Sequence, residues 1–274
     1  MAIGGVIAAN AAARSNTLAI VGDSYTSQSF NDSGAFKYFF ADGYVTWALA
    51  LSGQRLTPIM WAARGNSRVS AAANSPGVQF SDQVDQAIAS GADHMLIMGG
   101  VNDAFAGLSV ARITGAYDAC LQKAMSAGLR IWACTQPTLN SSYASYTATV
   151  QATVFAVNEW LREYVGANYS RYGVTVVDLA AVAVDASSAT GDWRTNGSKD
   201  GLHPSNVGAY YMGKELARVW AAQVPEMSRQ VSSAADNYTF SPLIKQAQTN
   251  GMFLTGSPVA TGFTSTTITG ATST

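Results

Sequence analysis

The chain has 274 residues, 48% hydrophobic and 12% charged, with a formal net charge of -1. That length supports one substantial α/β domain with an appendage, or two small domains, with one dominant core. Near-neutral charge without a basic run excludes the electrostatic footprint of a nucleic-acid binder and argues equally against an anionic membrane surface.

Residues 1–16, MAIGGVIAANAAARSN, are Ala-rich but lack a positive region ahead of the apolar part, so they read as an N-terminal extension and not as a signal peptide. No apolar run approaches the ~20 residues of a membrane span. A chain so poor in charge and rich in Ser, Thr, Ala and Gly favours an extracellular or virion-associated setting over a cytoplasmic one.

LAIVGD (Leu18 to Asp23) reads as a short buried strand ending in turn residues. A helix carrying Tyr44, Trp47, Leu49 and Leu51 follows and closes at Gly53, then a strand near Thr57 to Ala62 leads into a Gly65-Asn66 turn. Phe80, Val84 and Ile88 mark one face of the next helix, ended by Gly91, and HMLIMGG forms the third strand. Val110 to Ala127 is helical, Leu129 to Cys134 is the fourth strand, and a long helix spans about Tyr146 to Tyr164. Val174 to Leu179 supplies the fifth strand and Asn206 to Ala222 the last helix, its start signalled by Pro204 and Ser205. The alternation predicts a three-layer α/β/α sandwich around a five-stranded parallel sheet over residues 17–225. Ligands in such sheets bind beyond the carboxyl ends of the strands.

From residue 226 the composition changes: a polar linker leads to a Thr/Gly-rich segment with no charge after Lys245. Its Thr content favours β or extended structure, with a disordered tail as the alternative. Residues 226–274 are thus expected to lead to a further module, to attach to a larger assembly, or to pair in a homo-oligomer. Cys120 and Cys134 read as small buried thiols, and two Cys with two His argue against a zinc site.

Four short clusters carry the chemistry. Gly22-Asp23-Ser24-Tyr25-Thr26 follows the first strand, where a serine hydroxyl projects into the crevice; alone this is also ordinary turn and helix-cap chemistry. Asp200-Gly201-Leu202-His203-Pro204 precedes the last helix, and supplies a base for a hydroxyl and a carboxylate to hold the imidazole in one tautomer. The other histidine, His94, begins the third strand at the end away from the crevice and reads as structural or surface. Gly99-Gly100-Val101-Asn102-Asp103 and Gly65-Asn66 offer an Asn amide and a Gly N–H as donors to an oxyanion, although each alone is more often a turn.

Taken in order, GDSYT around Ser24, RGNS around Gly65, GVND around Asn102 and DGLHP around His203 resemble the four blocks of the SGNH (GDSL-type) hydrolases, over roughly Leu18 to Val224. The resemblance implies a flavodoxin-like fold and ester hydrolysis. Ser24 would be the nucleophile, His203 the base then acid, and Asp200 its orienting partner. The oxyanion hole would comprise the N–H groups of Ser24 and Gly65 and the Asn102 side chain. Tyr25 stands where many members carry a smaller residue and would narrow the crevice. No Gly-x-Ser-x-Gly elbow occurs, which argues against the α/β-hydrolase route.

Trp193 and Arg194 join Tyr25 as candidates to line an acyl or sugar pocket, a structural Trp being the plain alternative. Tyr38, Phe39, Phe40, Tyr44 and Trp47 read mostly as core, with a sugar-stacking role open for one or two. The leading expectation is a carbohydrate O-acetyl esterase, within a phage tail or surface assembly, acting on acetylated carbohydrate or a small ester. Its rivals are a lipase or thioesterase on longer acyl chains, and a non-catalytic structural or polysaccharide-binding module. No metal or organic cofactor is implied.

Overall fold

The computed structural model describes residues 16–29, 41–53, 55–70 and 79–226. The extension up to residue 15, the aromatics Tyr38, Phe39 and Phe40, and the segment from residue 227 onward lie outside them.

Five strands form one parallel sheet: β1 (Thr17–Gly22), β2 (Thr57–Trp61), β3 (His94–Met98), β4 (Arg130–Cys134) and β5 (Val174–Val177), in the order β2-β1-β3-β4-β5. The chain runs outward from β1 to β2, then returns past β1 to β3. The crevice of this switch point therefore opens where β1 and β3 end.

Strand alternation divides the apolar residues between two faces. Leu18, Ile20, Leu96, Met98, Trp132 and Val177 point to one side, where they pack with α2 (Tyr44–Leu51) and α9 (Asn206–Gln223). Ala19, Val21, Met95, Ile97, Ile131 and Ala133 point to the other, against α3 (Phe80–Ala89), α5 (Val110–Ser126) and α6 (Ala148–Trp160). Strands covered on both faces read as near-continuous apolar runs, and β3 is buried at every position. Three short helices, α1 (Ser24–Ser27), α4 (Val101–Phe105) and α8 (Leu179–Ala183), follow β1, β3 and β5 directly.

The long helix expected over Tyr146 to Tyr164 differs at both ends. Thr147, whose side chain accepts the N–H of Val150 (3.1 Å), caps its start, so Tyr146 stays outside. At its far end the helix widens into a π-helical turn at Leu161–Val165 and continues as α7 (Gly166–Tyr169). Cys120 and Cys134 are buried free thiols, and burial raises both, Cys120 to about 11. Among the described residues no helix is long and apolar enough to cross a membrane, and no cluster of His, Cys, Asp and Glu has the makings of a metal site.

Candidate active site

Every cluster singled out by spacing lies at a carboxyl-terminal strand end or beside one. Ser24 opens α1 immediately after β1, with Asp23 as its cap: the carboxylate accepts the Tyr25 N–H (3.0 Å) and fixes the turn that presents the serine. Ser24 Oγ lies 2.9 Å from His203 Nε2, and His203 Nδ1 lies 2.7 Å from Asp200 Oδ2. These three residues come together across 179 positions of sequence.

The Asp200 loop organises itself. Asp200 Oδ1 accepts the backbone N–H groups of Leu202 (2.9 Å) and His203 (2.6 Å), a tight turn that Gly201 completes at a φ of 87°. Partial burial works against the charged carboxyl, but hydrogen bonds from the His203 ring and from these two N–H groups hold it below its ordinary range. An ionised carboxylate only accepts, so Nδ1 carries the proton and Nε2 is left to accept the Ser24 hydroxyl. The arrangement is suited to remove the serine proton and return it to a leaving group.

Asn102 lies in the first turn of α4, and its amide donates to Ser67 O (2.9 Å) in the second cluster. Gly65 is exposed at the tip of the β2 exit, beside Asn66 at a φ of 61°; Arg64 N–H donates to Gly22 O (3.1 Å), tying this turn to the end of β1. Buried Asp103 accepts Val69 N–H (2.8 Å), Ser70 N–H (2.9 Å) and the Ser70 hydroxyl (2.6 Å). The third cluster thereby holds the second in place.

The pocket expectations need correction. Tyr25 lines no open crevice: it has no accessible surface, because α1 turns it into the core. There its ring packs parallel to Trp193 (centroids 6.3 Å apart), tilts against the His203 ring (5.6 Å), and its hydroxyl donates to Pro137 O (3.4 Å). Trp193 is likewise buried at 5% exposure, the structural alternative. Arg194 is exposed, with Nε donating to Val184 O (3.3 Å) and its guanidinium 5.4 Å from the centre of the Tyr211 ring. Tyr44 is core and hydrogen-bonds Thr26, while Trp47 packs edge-on against Tyr210.

A set of buried amides that no sequence spacing marks lies beneath the rim. Gln136 donates to Asp23 Oδ2 (2.7 Å) and accepts Val101 N–H (2.8 Å), and its backbone pairs with the Asn158 amide (2.9 and 2.8 Å). Gln83 accepts Gly22 N–H (2.8 Å) and donates to Ser67 Oγ (2.8 Å). Gly100, at a φ of 127°, sets the direction of the Val101 N–H. Isolated glutamines in a helix and a loop carry no spacing signal that would have marked them. Asp23 itself is raised to about 7, chiefly by burial, against which the Gln136 and Tyr25 hydrogen bonds work.

A family model for GDSL-like lipases and acylhydrolases matches residues 20–210, a span that contains all four clusters. The chain belongs to this family. Among curated proteins none matches this GDSL-type hydrolase by sequence. Solved structures do match it in fold. A carbohydrate acetylesterase from Sinorhizobium meliloti is 15% identical with a TM-score of 0.57, covering 76% of this chain and 99% of its own. The inhibitor-bound aryl esterase of M. smegmatis is 15% identical with a TM-score of 0.56, covering 77% and 99%. A GDSL-like lipase from Bacteroides thetaiotaomicron is 11% identical with a TM-score of 0.55, covering 77% and 89%. At such identities the likeness carries the three-layer fold. The family match makes the chain an ester hydrolase of the SGNH type.

Proposed function

We propose that this hydrolase cleaves carboxylic esters through an acyl-enzyme on Ser24, and that its substrates are O-acetylated carbohydrates. The observation that carries the reading is the hydrogen-bond chain from Ser24 Oγ through His203 to Asp200, at 2.9 and 2.7 Å. Ser24 Oγ attacks the ester carbonyl carbon as its proton passes to His203 Nε2, and Asp200 stabilises the resulting imidazolium. The N–H groups of Ser24 and Gly65 and the Asn102 amide receive the oxyanion of the tetrahedral intermediate. Collapse breaks the bond to the alcohol, which leaves with the proton from His203. Water, deprotonated by the same imidazole, then releases the acid.

A short acyl group is favoured by the ring pair Phe105 and Tyr143, 6.2 Å apart. Phe105 is three residues beyond Asn102, and Tyr143 abuts Gly201 in the His203 loop; their nearness to both groups is the basis for proposing limited acyl room. An acetylesterase on carbohydrate, with the same fold, supports the sugar as alcohol. Wild-type protein is expected to hydrolyse p-nitrophenyl acetate and acetylated xylan, with rates collapsing beyond short acyl chains. Ser24→Ala is expected to lose both activities; equal turnover by the variant would sink the assignment.

A further inference from the structure

We propose that Gln83 and Gln136 are positioning residues: two buried cross-braces that set the distance between the Ser24 turn and the oxyanion donors. The inference rests on the reading of Ser24, Gly65 and Asn102 given above.

The geometry is specific to these two side chains. Gln136 reaches from the exit of β4 and joins the residue before Ser24 to the residue before Asn102, donating to Asp23 and accepting from Val101 N–H. Gln83, on α3 below the sheet, joins the residue before Asp23 to the turn that contains Gly65. It accepts Gly22 N–H and donates to Ser67 Oγ, while Ser67 O accepts the Asn102 amide. The nucleophile turn is thus held on one side by each glutamine, and each bond ends one or two residues from a reacting group. Both glutamines are buried, Gln83 at 0% and Gln136 at 2% exposure, so neither meets substrate.

The chemistry of an amide explains the residue type. One brace must accept from a backbone N–H and donate to an oxygen simultaneously, and a glutamine side chain does both without charge. Water is excluded, so no solvent molecule replaces a missing arm, and an unmet buried donor or acceptor is relieved only by movement of the turn. Displacements of an ångström in a reacting group cost about 10²-fold in rate.

The test compares kcat and KM for p-nitrophenyl acetate among wild type, Gln136→Met, Gln83→Met and a control, Gln151→Met. Gln151 is also a buried glutamine, at 3% exposure, but its amide serves Leu139 and Thr190 and touches none of the four clusters. Either brace variant is expected to lower kcat by about 10²-fold with KM within threefold, while the control keeps kcat within threefold whatever it loses in melting temperature. Folded brace variants whose kcat matches the control would overturn the proposal.

Gln136→Glu covers the case in which Gln136→Met does not fold. It keeps the shape and the acceptor to Val101 N–H, but sets a second carboxyl against Asp23. The other ionisable groups facing Asp23 are Asp103 of α4, Tyr25, Tyr44 and Tyr117, none of them a cation. The two carboxyls share a proton at acidic pH and repel once both ionise. Its kcat is expected to approach wild type at acidic pH and to fall as pH rises, where wild-type kcat climbs to its plateau. A wild-type profile from this variant would overturn the brace. Absence of any ester turnover in wild type would remove the catalytic reading and the braces together, whereas turnover that survives these substitutions removes the braces alone.

Discussion

The two histidines of the chain stand at opposite ends of one parallel sheet, and they show what position does to an identical side chain. His94 begins β3 at its amino end, 2% exposed, stacked on Trp132 with ring centroids 5.0 Å apart and planes 6° from parallel, with Nδ1 3.2 Å from Thr17 O. His203 stands beyond the carboxyl ends with its side chain 20% exposed, one nitrogen on a carboxylate and the other on a serine hydroxyl. Parallel strands lead at their carboxyl ends into loops and helix starts, where ligands of such sheets bind. The first histidine is packed into the core, and the second is held between a carboxylate and a hydroxyl, as the proposed proton transfer requires.

Substitution at both sites separates the roles most sharply. His203→Ala is expected to lower kcat by about 10⁴-fold with little change in melting temperature, as measured by initial rates and thermal unfolding. Asp200→Asn removes the acceptor that fixes the His203 tautomer. With 42% of this side chain exposed, water substitutes in part, so the expected loss is about 10²-fold, below the ~10⁴ of a buried triad aspartate. Because the Asp200 carboxyl is held below its ordinary range, whatever it adds to stability is present above that range and is lost as pH falls through its lowered value.

Asp23 runs in the opposite sense. Its folded value of about 7 lies above the unfolded 3.8, so the native state keeps a proton that the unfolded chain releases. Stability from this group is full below about pH 4 and is lost as pH rises through about 7, an upper bound on the order of 4 kcal/mol. Denaturant unfolding at pH 5 and pH 8 measures the slope, and Asp23→Asn is expected to flatten it. His94→Ala, at the other end of the sheet, is expected to cost about 2–3 kcal/mol with kcat within twofold of wild type. The smallest change belongs to Arg194→Ala: loss of its contact with the Tyr211 ring is worth about 0.5–1 kcal/mol, readable as a small drop in denaturant midpoint.

Much of this was legible in the residues alone. Apolar runs ending in Gly or Asp mark β1, β3 and β5, and the scarcity of histidine leaves His203 as the one base candidate near a carboxylate at the expected rim. The position of His94 at the far end is legible from HMLIMGG, although spacing alone leaves open whether it is buried. What escaped had physical reasons. Tyr25 follows Ser24 in sequence, yet a helical turn of about 100° per residue sends it inward to support the His203 ring from below. The π-helical turn at Leu161–Val165 adds a residue to a helix whose apolar spacing continues past it. Gln83 and Gln136 do their work through amides whose partners are mostly backbone groups far away in sequence, and a single sequence does not record such pairings.

The span of 179 residues between Ser24 and His203 has a consequence for synthesis. During translation Ser24 emerges from the ribosome first, and His203 follows only after all five strands have been made. A nascent chain therefore carries Ser24 before its hydrogen-bond partner exists, and on the proposed mechanism hydrolysis waits until the His203 loop ahead of α9 is in place.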